Sequence, residues 1–420
     1  MTDPFSPFRL AGLSLRNRII KTATFEGMSP GGGVSDALTE HHRALAAGGV
    51  AMTTVAYCAV TPDGRTFRDQ LHMRPEVVPA LRTLTAAVHG AGAAASVQLG
   101  HCGAFCNNHD LARRRPMGPS RALNLIGALS GRVLADAMSE TEIEDVTAAF
   151  VGAAQLAREA GFDVVELHLG HGYLLSQFLS PGTNARRDAF GGSLANRARF
   201  PLMVVERVRA ALPPEMPVLA KVNLRDGFRG GLEIDESVEV ARELEARGAD
   251  ALVLSGGFVS RNPFYLFRGE RPLRQMIAVE KSWPQKLALA VFGPALIHAY
   301  PFAPLYFLPL AREIRRAVRM PLVLLGGIKS RDDLDTAMRE GFELVAMGRA
   351  LIHDAALIAK LAAGTARGSG CVPCNACVAE MDREGGVCCP KVPAQLADRE
   401  AYVRRARLAR TSVTEQSSLR

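Results

Sequence analysis

The sequence predicts an α/β protein built on a (β/α)8 TIM barrel, because strand and helix patterns alternate along one chain and eight strands can be counted. The apolar runs are continuous rather than alternating, which is typical of parallel strands buried on both faces. Several of them follow a helical pattern that ends in glycine, as at Gly161, Gly248 and Gly341. A doubly wound sheet is the alternative, but no glycine-rich dinucleotide loop follows the first strand. The predicted strands are Arg18–Thr24, Gly49–Val60, Ala93–Leu99, Phe162–Leu169, Pro217–Asn223, Asp250–Ser255, Pro321–Gly326 and Phe342–Met347.

Composition places the chain among globular proteins. Of 420 residues, 48% are hydrophobic and 22% are charged, which excludes a disordered or collagen-like chain. The net charge is +8, but no basic run carries interleaved aromatic residues, so a nucleic-acid partner is not expected. The first residues lack the pattern of a signal peptide. Because five of the eight cysteines crowd between positions 371 and 389, we expect a metal site and a cytoplasmic protein.

We expect two parts, a barrel over residues 1–365 and a Cys-rich, metal-binding extension with a basic tail over residues 366–420. An apolar insertion at about 258–309 follows the sixth strand and contains a run without charges from Leu287 to Ala311. Four prolines interrupt this run, which argues against a transmembrane helix. Loops after barrel strands lie at the active end. We therefore expect a lid, or a contact between subunits of a homo-oligomer, in preference to a contact with a membrane.

The fourth predicted strand ends in candidate catalytic residues. His168 and His171 come directly after its apolar run, and Tyr173 stands two residues further on. Catalytic residues of a barrel lie just after its strands. Two imidazoles there can bind a carbonyl oxygen, and a phenol can supply a proton.

A phosphate site is predicted at the ends of the last two strands. Gly326 and Gly327 follow the seventh strand, and Gly348 and Arg349 follow the eighth. Barrels often bind phosphate at this place through backbone N–H groups at a helix N-terminus. The Arg349 guanidinium would add a charge-assisted hydrogen bond. The alternative is that these glycines only turn the chain.

Four blocks of the sequence resemble the Old Yellow Enzyme family of flavin reductases. The blocks are LRNRIIKTA, VQLGHCG, HLGHGYLLSQFLSP with the N-x-R-x-D-x-F-GGS-x-x-NR-x-R-F that follows it, and LGGI with VAMGRALI. They occur in order over about residues 5–365. The resemblance implies a barrel that binds FMN and takes NADH or NADPH as its reductant.

The same resemblance assigns roles to single residues. Gln98 would hydrogen-bond the pyrimidine edge of the flavin, and Lys221 would place a cation beside its N1 and O2. The backbone around Ala23, Thr24 and Tyr57 would line the ring. Phe25 stands where relatives often carry Thr, Cys or His, and it can donate no hydrogen bond to the flavin.

The implied reaction is that of an ene reductase. NAD(P)H reduces FMN and leaves, and an unsaturated carbonyl compound then binds with its oxygen on His168 and His171. Hydride passes from flavin N5 to the β-carbon, and Tyr173 protonates the α-carbon. We expect a lipophilic substrate because the insertion carries so long a run without charges.

The cysteine cluster adds a second cofactor and an alternative function. Cys371, Cys374 and Cys377 have C-x2-C-x2-C spacing, and Cys388 or Cys389 would complete a set of four thiolates. Such a set can hold a [4Fe–4S] cluster or zinc. It resembles the iron–sulfur branch of the same family, which includes trimethylamine dehydrogenase and dienoyl-CoA reductase. The alternative is thus an iron–sulfur flavoprotein dehydrogenase that passes electrons to a separate carrier protein, and a non-catalytic barrel with structural zinc is a third possibility.

Overall fold

The computed structural model describes residues 2–108, 111, 115–124, 127 and 131–418. Eight parallel strands close into a barrel, as the sequence predicts, and each of them lies within one of the predicted apolar runs or one residue beyond it. The strands of the described residues are β1 (Phe8–Leu10), β2 (Leu13–Leu15), β3 (Ile19–Lys21), β4 (Met52–Ala59), β5 (Ala94–Gly100), β6 (Met117–Gly118), β7 (Ala122–Leu123), β8 (Leu134–Ala137), β9 (Val164–Leu169), β10 (Val218–Asn223), β11 (Ala251–Ser255), β12 (Leu322–Leu325) and β13 (Leu344–Met347).

The helices alternate with the barrel strands and continue into the insertion and the C-terminal extension. In chain order they are α1 (Asp36–Ala47), α2 (Val78–Gly90), α3 (Glu140–Glu159), α4 (Leu174–Leu179), α5 (Leu194–Ala211), α6 (Ile234–Ala246), α7 (Pro263–Leu266), α8 (Leu273–Val279), α9 (Trp283–Leu296), α10 (Leu308–Ala317), α11 (Arg331–Arg339), α12 (Arg349–His353), α13 (Leu357–Ala362), α14 (Ala376–Glu380) and α15 (Pro393–Ser418).

The barrel closes in the order β3, β4, β5, β9, β10, β11, β12, β13, with β13 paired in parallel to β3. Almost every residue of these eight strands is buried, because one face of the sheet packs on the outer helices and the other fills the barrel. The side chains of Val164, Val253 and Val323 are part of the interior cluster. The hairpin β1–β2 packs Leu10 and Leu15 onto the same cluster and thereby covers one end of the barrel.

The helix boundaries follow the sequence signals. Ser139 begins α3 with a capping box, in which the Glu142 N–H donates to Ser139 Oγ at 3.2 Å and the Ser139 N–H donates to Glu142 Oε2 at 2.8 Å. The chain leaves this helix through Gly161 at φ 82°, a left-handed conformation that glycine adopts without strain. The turn at Gly161 therefore sets where the chain enters β9.

The insertion after β11 contains α7, α8 and α9, and it lies over the C-terminal end of the barrel. Leu289 of α9 and Met276 of α8 face the cavity at that end. The opposite side of α9 leaves Trp283, Leu287 and Val291 exposed. Within the described ranges, no helix combines the length and the apolar character needed to cross a bilayer.

The Cys-rich extension packs on the loop that follows β3. The Val387 N–H donates to the Glu26 carbonyl oxygen at 2.7 Å. Gly27 has φ 66°, and a Cβ atom there would overlap the carbonyl oxygen of Met381. Only glycine therefore permits this close approach of the two backbones.

Candidate active site

One cavity of about 640 Å³ opens at the C-terminal end of the barrel strands. It is lined by every residue that the sequence predicts for catalysis and for flavin binding, although their roles stay predictions. These residues are Ala23, Thr24, Tyr57, Gln98, His168, His171, Tyr173, Lys221, Gly326, Gly327, Gly348 and Arg349.

Aromatic and imidazole rings form one wall of this cavity. The ring centroids of His168 and Tyr173 lie 4.6 Å apart, and those of His168 and His171 lie 4.9 Å apart. Tyr57 meets Tyr173 edge to face at 4.8 Å. The Tyr57 hydroxyl donates to the Gly64 carbonyl oxygen at 2.9 Å.

The turn after β9 sets the position of His171. This residue has φ 59°, and its N–H donates to Asn223 Oδ1 at 2.9 Å. Its Nε2 lies 2.7 Å from Ser255 Oγ at the end of β11. Residues held in the left-handed region by such contacts often belong to functional sites. Two neighbouring barrel strands thus fix the imidazole.

Burial determines the protonation of the three candidate catalytic groups. It lowers the pKa of His171 to about 3, and the Lys221 cation contributes to the same direction. It also places the pKa of His168 well below its usual range, and the Lys221 cation contributes to the same direction. Burial raises the pKa of the Tyr173 phenol. At neutral pH the imidazoles are uncharged and the phenol keeps its proton.

A buried carboxylate joins the two residues predicted to contact the flavin ring. Glu166 Oε1 lies 2.8 Å from Lys221 Nζ and accepts a hydrogen bond of 2.6 Å from Gln98 Nε2. Lys221 also donates to Thr22 Oγ1 at 3.1 Å. All of these side chains are buried, so the Glu166 charge compensates that of Lys221.

At the predicted phosphate site, Arg349 donates hydrogen bonds to protein acceptors through one of its guanidinium nitrogens. Its Nη1 donates to the carbonyl oxygens of Phe267 at 3.1 Å and Arg268 at 3.0 Å, and also to Asn375 Oδ1. These bonds tie the start of α12 to the insertion and to the extension. Lys329 lines the same end of the cavity beside Gly327.

The residues present fit an FMN molecule. Thr24 Oγ1 and His168 Nδ1 are buried and have no hydrogen-bond partner among the described residues, so both can bond to a ligand in the cavity. Lys221 offers a cation to an electron-rich ring, and Lys329 and Arg349 offer cations to a phosphate. The cavity volume is within the range of ligand and cofactor sites.

The cysteines of the extension gather behind Arg349. Cys371, Cys374, Cys377 and Cys389 line one small cavity, whereas Cys388 does not line it. Burial raises the pKa of Cys377 to about 12, and the Arg349 charge opposes this shift. Within the described residues, no three His, Cys, Asp or Glu side chains are grouped so that they could hold a single metal ion.

Three residues of the site escaped the sequence analysis. Glu166 carries a charge inside an otherwise apolar strand, and such a charge needs a buried partner. That signal could have identified it. Lys329 follows the Gly326–Gly327 pair by two residues and could have been found as a further phosphate ligand. Ser255 gives no signal, because its partner His171 is 84 residues away.

Comparison with known proteins agrees with these features. A sequence model described as the NADH:flavin oxidoreductase / NADH oxidase family matches residues 3–260. The 4,4'-dithiodibutanoate disulfide reductase of Rhodococcus erythropolis is 46% identical over 379 residues, which is 89% of this chain and 92% of that protein. The metal reductase of Desulforamulus reducens is 30% identical over 392 residues, and this chain, matched over 93% of its length, spans only 53% of that protein.

Solved structures show the same fold. The old yellow enzyme homologue from Zymomonas mobilis superposes with a TM-score of 0.69 at 21% identity, over 88% of this chain and 95% of that one. Both the sequence match and the cavity agree with a flavin enzyme. The chain therefore belongs to the NADH:flavin oxidoreductase / NADH oxidase family and is an FMN- and NAD(P)H-dependent oxidoreductase.

Proposed function

We propose that the enzyme reduces the activated C=C bond of an apolar unsaturated carbonyl compound at the expense of NAD(P)H. The observation that carries this proposal is the meeting of two neutral imidazoles and a protonated phenol in one buried cavity. FMN, when bound, takes a hydride from NAD(P)H and supplies it to the substrate. The protein has to bind the carbonyl oxygen and deliver one proton.

His168 and His171 would bind the carbonyl oxygen. Both imidazoles are neutral, so each can donate a hydrogen bond from one nitrogen without adding a buried charge. In the tautomer that carries its proton on Nδ1, His168 has a donor with no partner among the described residues. Donors aimed at an oxygen that gains negative charge stabilise the transition state. Ser255 keeps His171 in place for this role.

Tyr173 would deliver the proton to the α-carbon. Its phenol is buried beside His168, and burial raises its pKa, so the proton stays in place until the substrate carbon becomes basic. Hydride addition at the β-carbon and proton addition at the α-carbon saturate the C=C bond. Solvent then returns the proton to Tyr173, which closes the cycle.

The walls of the cavity support an apolar substrate. Phe25 stacks on Phe67 with ring centroids 5.7 Å apart, and Phe105 meets Tyr173 at 5.9 Å. Leu289 of the insertion faces the same space. Such walls favour apolar compounds, while the few polar groups orient them.

A disulfide is a second candidate substrate. The relative that is 46% identical is a disulfide reductase acting on 4,4'-dithiodibutanoate, a dicarboxylate. Lys281 and Lys329 line the cavity of this chain and could attract such an anionic compound. The balanced reaction consumes one hydride and one proton and gives two thiols.

An anaerobic titration distinguishes these substrates. NADPH added to the purified holoenzyme should bleach its flavin absorbance, and cyclohexenone should restore it. Restoration by an aliphatic disulfide alone would assign the second candidate. If neither compound restores the absorbance, both proposals are wrong.

We further propose that the extension holds a [4Fe–4S] cluster on Cys371, Cys374, Cys377 and Cys389. The four residues line one small cavity, and this favours Cys389 over Cys388 as the fourth ligand. Zinc on the same thiolates is the alternative, and a cluster would favour electron transfer to a carrier protein. Iron and acid-labile sulfide should be present in anaerobically purified protein and lost in Cys389→Ser. Cys388→Ser is the matched control and should keep both, whereas zinc without iron would overturn the cluster.

A further inference from the structure

The outer face of α9 is an exposed apolar surface. Trp283, Leu287 and Val291 recur at intervals of four residues and therefore lie along one side of the helix. The exposed fraction reaches 75% at Trp283. Phe292 and Leu296, on another side of the helix, are exposed as well. A contiguous apolar patch of this kind marks an interaction site on a protein surface.

The inner face of the same helix borders the active-site cavity. Leu289 and Gln285 line that cavity, together with Met276 and Val279 of α8. The helix therefore lies between the active-site cavity and any molecule that binds its outer face.

The charges around α9 are positive. Arg274, Lys281 and Lys286 are exposed, and the sequence contains no Asp or Glu from position 281 to position 312. The acid that directly precedes this stretch, Glu280, accepts a hydrogen bond from the Ser282 N–H at 2.8 Å and lines the cavity. The exposed surface thus combines apolar side chains with the cations Arg274 and Lys286, whereas Lys281 interacts electrostatically with Asp382.

This combination disfavours a second copy of the chain as the occupant. In a two-fold dimer the patch would meet itself, so Lys281 and Lys286 would face the same cations of the other copy. An anionic lipid surface offers the opposite charge together with an apolar layer beneath it. A tryptophan at the edge of the patch suits the interface between headgroups and acyl chains.

We propose that α9 binds the surface of a membrane that contains anionic lipids, and that apolar substrate reaches the cavity from that membrane. The helix has 14 residues and is about 21 Å long at about 1.5 Å per residue, which suits a helix lying in the interface rather than across it. The outer side chains enter the acyl layer, and the lysines contact the headgroups.

Vesicle sedimentation tests the proposal with the full-length holoenzyme. The protein should bind vesicles of mixed phosphatidylcholine and phosphatidylglycerol, and bind vesicles of phosphatidylcholine alone or the mixed vesicles at high salt more weakly. The double variant Leu287→Glu/Val291→Glu should lose at least about tenfold in partition, because each side chain leaves an apolar environment. Leu408→Glu on α15 is the matched control, since Leu408 is 72% exposed and lies outside α9.

Three results would overturn the proposal. The wild-type protein does not bind the anionic vesicles, or the double variant binds them as well as the wild type does. The third is a dimer in light scattering that the double variant dissociates while vesicle binding is absent, which assigns the face to a second copy. Unchanged flavin absorbance in both variants verifies that they are folded.

Discussion

The two walls of the active-site cavity are built in different ways. The barrel wall consists of strand ends whose polar groups bond to one another, as Lys221 and Gln98 do through Glu166. The insertion wall consists of α8 and α9, which face the cavity with apolar side chains and expose others to the outside. In the proposed reaction the first wall supplies the catalytic groups, and we propose that the second controls which molecules enter. A change in either wall should therefore affect a different measured quantity.

The largest effect is expected on the barrel wall at Tyr173. Tyr173→Phe removes the proposed proton donor, and reduction of an enone should slow by about 10²–10⁴-fold. Bleaching of the flavin by NADPH should keep its rate, because that step needs no proton from Tyr173. Stopped-flow absorbance measures both half-reactions, and Tyr402→Phe on α15 serves as the control. Equal slowing of both half-reactions would contradict the proposed role.

Glu166→Gln should give the next largest effect. It leaves Lys221 buried without its counter-charge, which costs about 3–5 kcal/mol in the free energy of unfolding. Urea denaturation measures this loss, and the bound flavin per protein chain should fall with it. Glu313→Gln breaks an exposed pair with Arg316 on α10 and should cost about 0.5 kcal/mol or less. If Glu166→Gln and Glu313→Gln lower the free energy of unfolding by similar amounts, the buried Glu166–Lys221 pair contributes no more to stability than an exposed pair.

Low pH should decrease the free energy of unfolding, because His171 of the barrel wall is buried in its neutral form. The pKa of His171 is about 3 in the folded protein, and it returns to about 6.5 in the unfolded chain. Between these values the unfolded chain binds a proton that the folded protein does not bind, so the free energy of unfolding decreases as the pH falls from about 6.5 towards 3. Urea midpoints measured across this range should show the decrease. His171→Gln should reduce its slope, and the exposed His298→Gln should not.

The smallest effect is expected on the insertion wall. Leu289→Ala should raise the KM for an apolar enone about fivefold, because a half-buried leucine contributes about 1 kcal/mol. The kcat should change little, since α9 carries none of the proposed catalytic groups. Leu287→Ala on the outer face of the same helix is the control for steady-state kinetics with a water-soluble enone. If the outer substitution raises KM equally, the two faces of α9 do not have separate roles.

The sequence was sufficient for the barrel because burial on both faces leaves a simple pattern. Each apolar run contains one strand, and the residues that end those strands meet in one cavity. The contacts of Glu166 with Gln98 and Lys221 could not be predicted from these apolar runs. They depend on the register of three strands, with Gln98 opposite Glu166 and Lys221 opposite His168. Register depends on long-range pairing, which a single strand pattern does not encode.

For the insertion, the sequence predicts the apolar segment but not which of its side chains are exposed. An apolar run without charges predicts a covered segment, and the inner face of α9 does line the cavity through Leu289. The same run gives no indication that Trp283 and Leu287 remain exposed. Exposure depends on which elements pack beside the helix, and only the three-dimensional structure provides that information.

The close contact at Gly27 means that the extension is not a detachable tail. Gly27 and Glu26 belong to one loop, and the Glu26 carboxylate is buried 3.1 Å from Lys21 Nζ. Val387 and Met381 cover that loop from the other side. A shortened chain or a chimera that discards the extension would bring water to this buried ion pair. A loss of activity in such a chimera would then have two causes. One is the missing cysteines, and the other is the exposure of the loop after β3 that the extension covers.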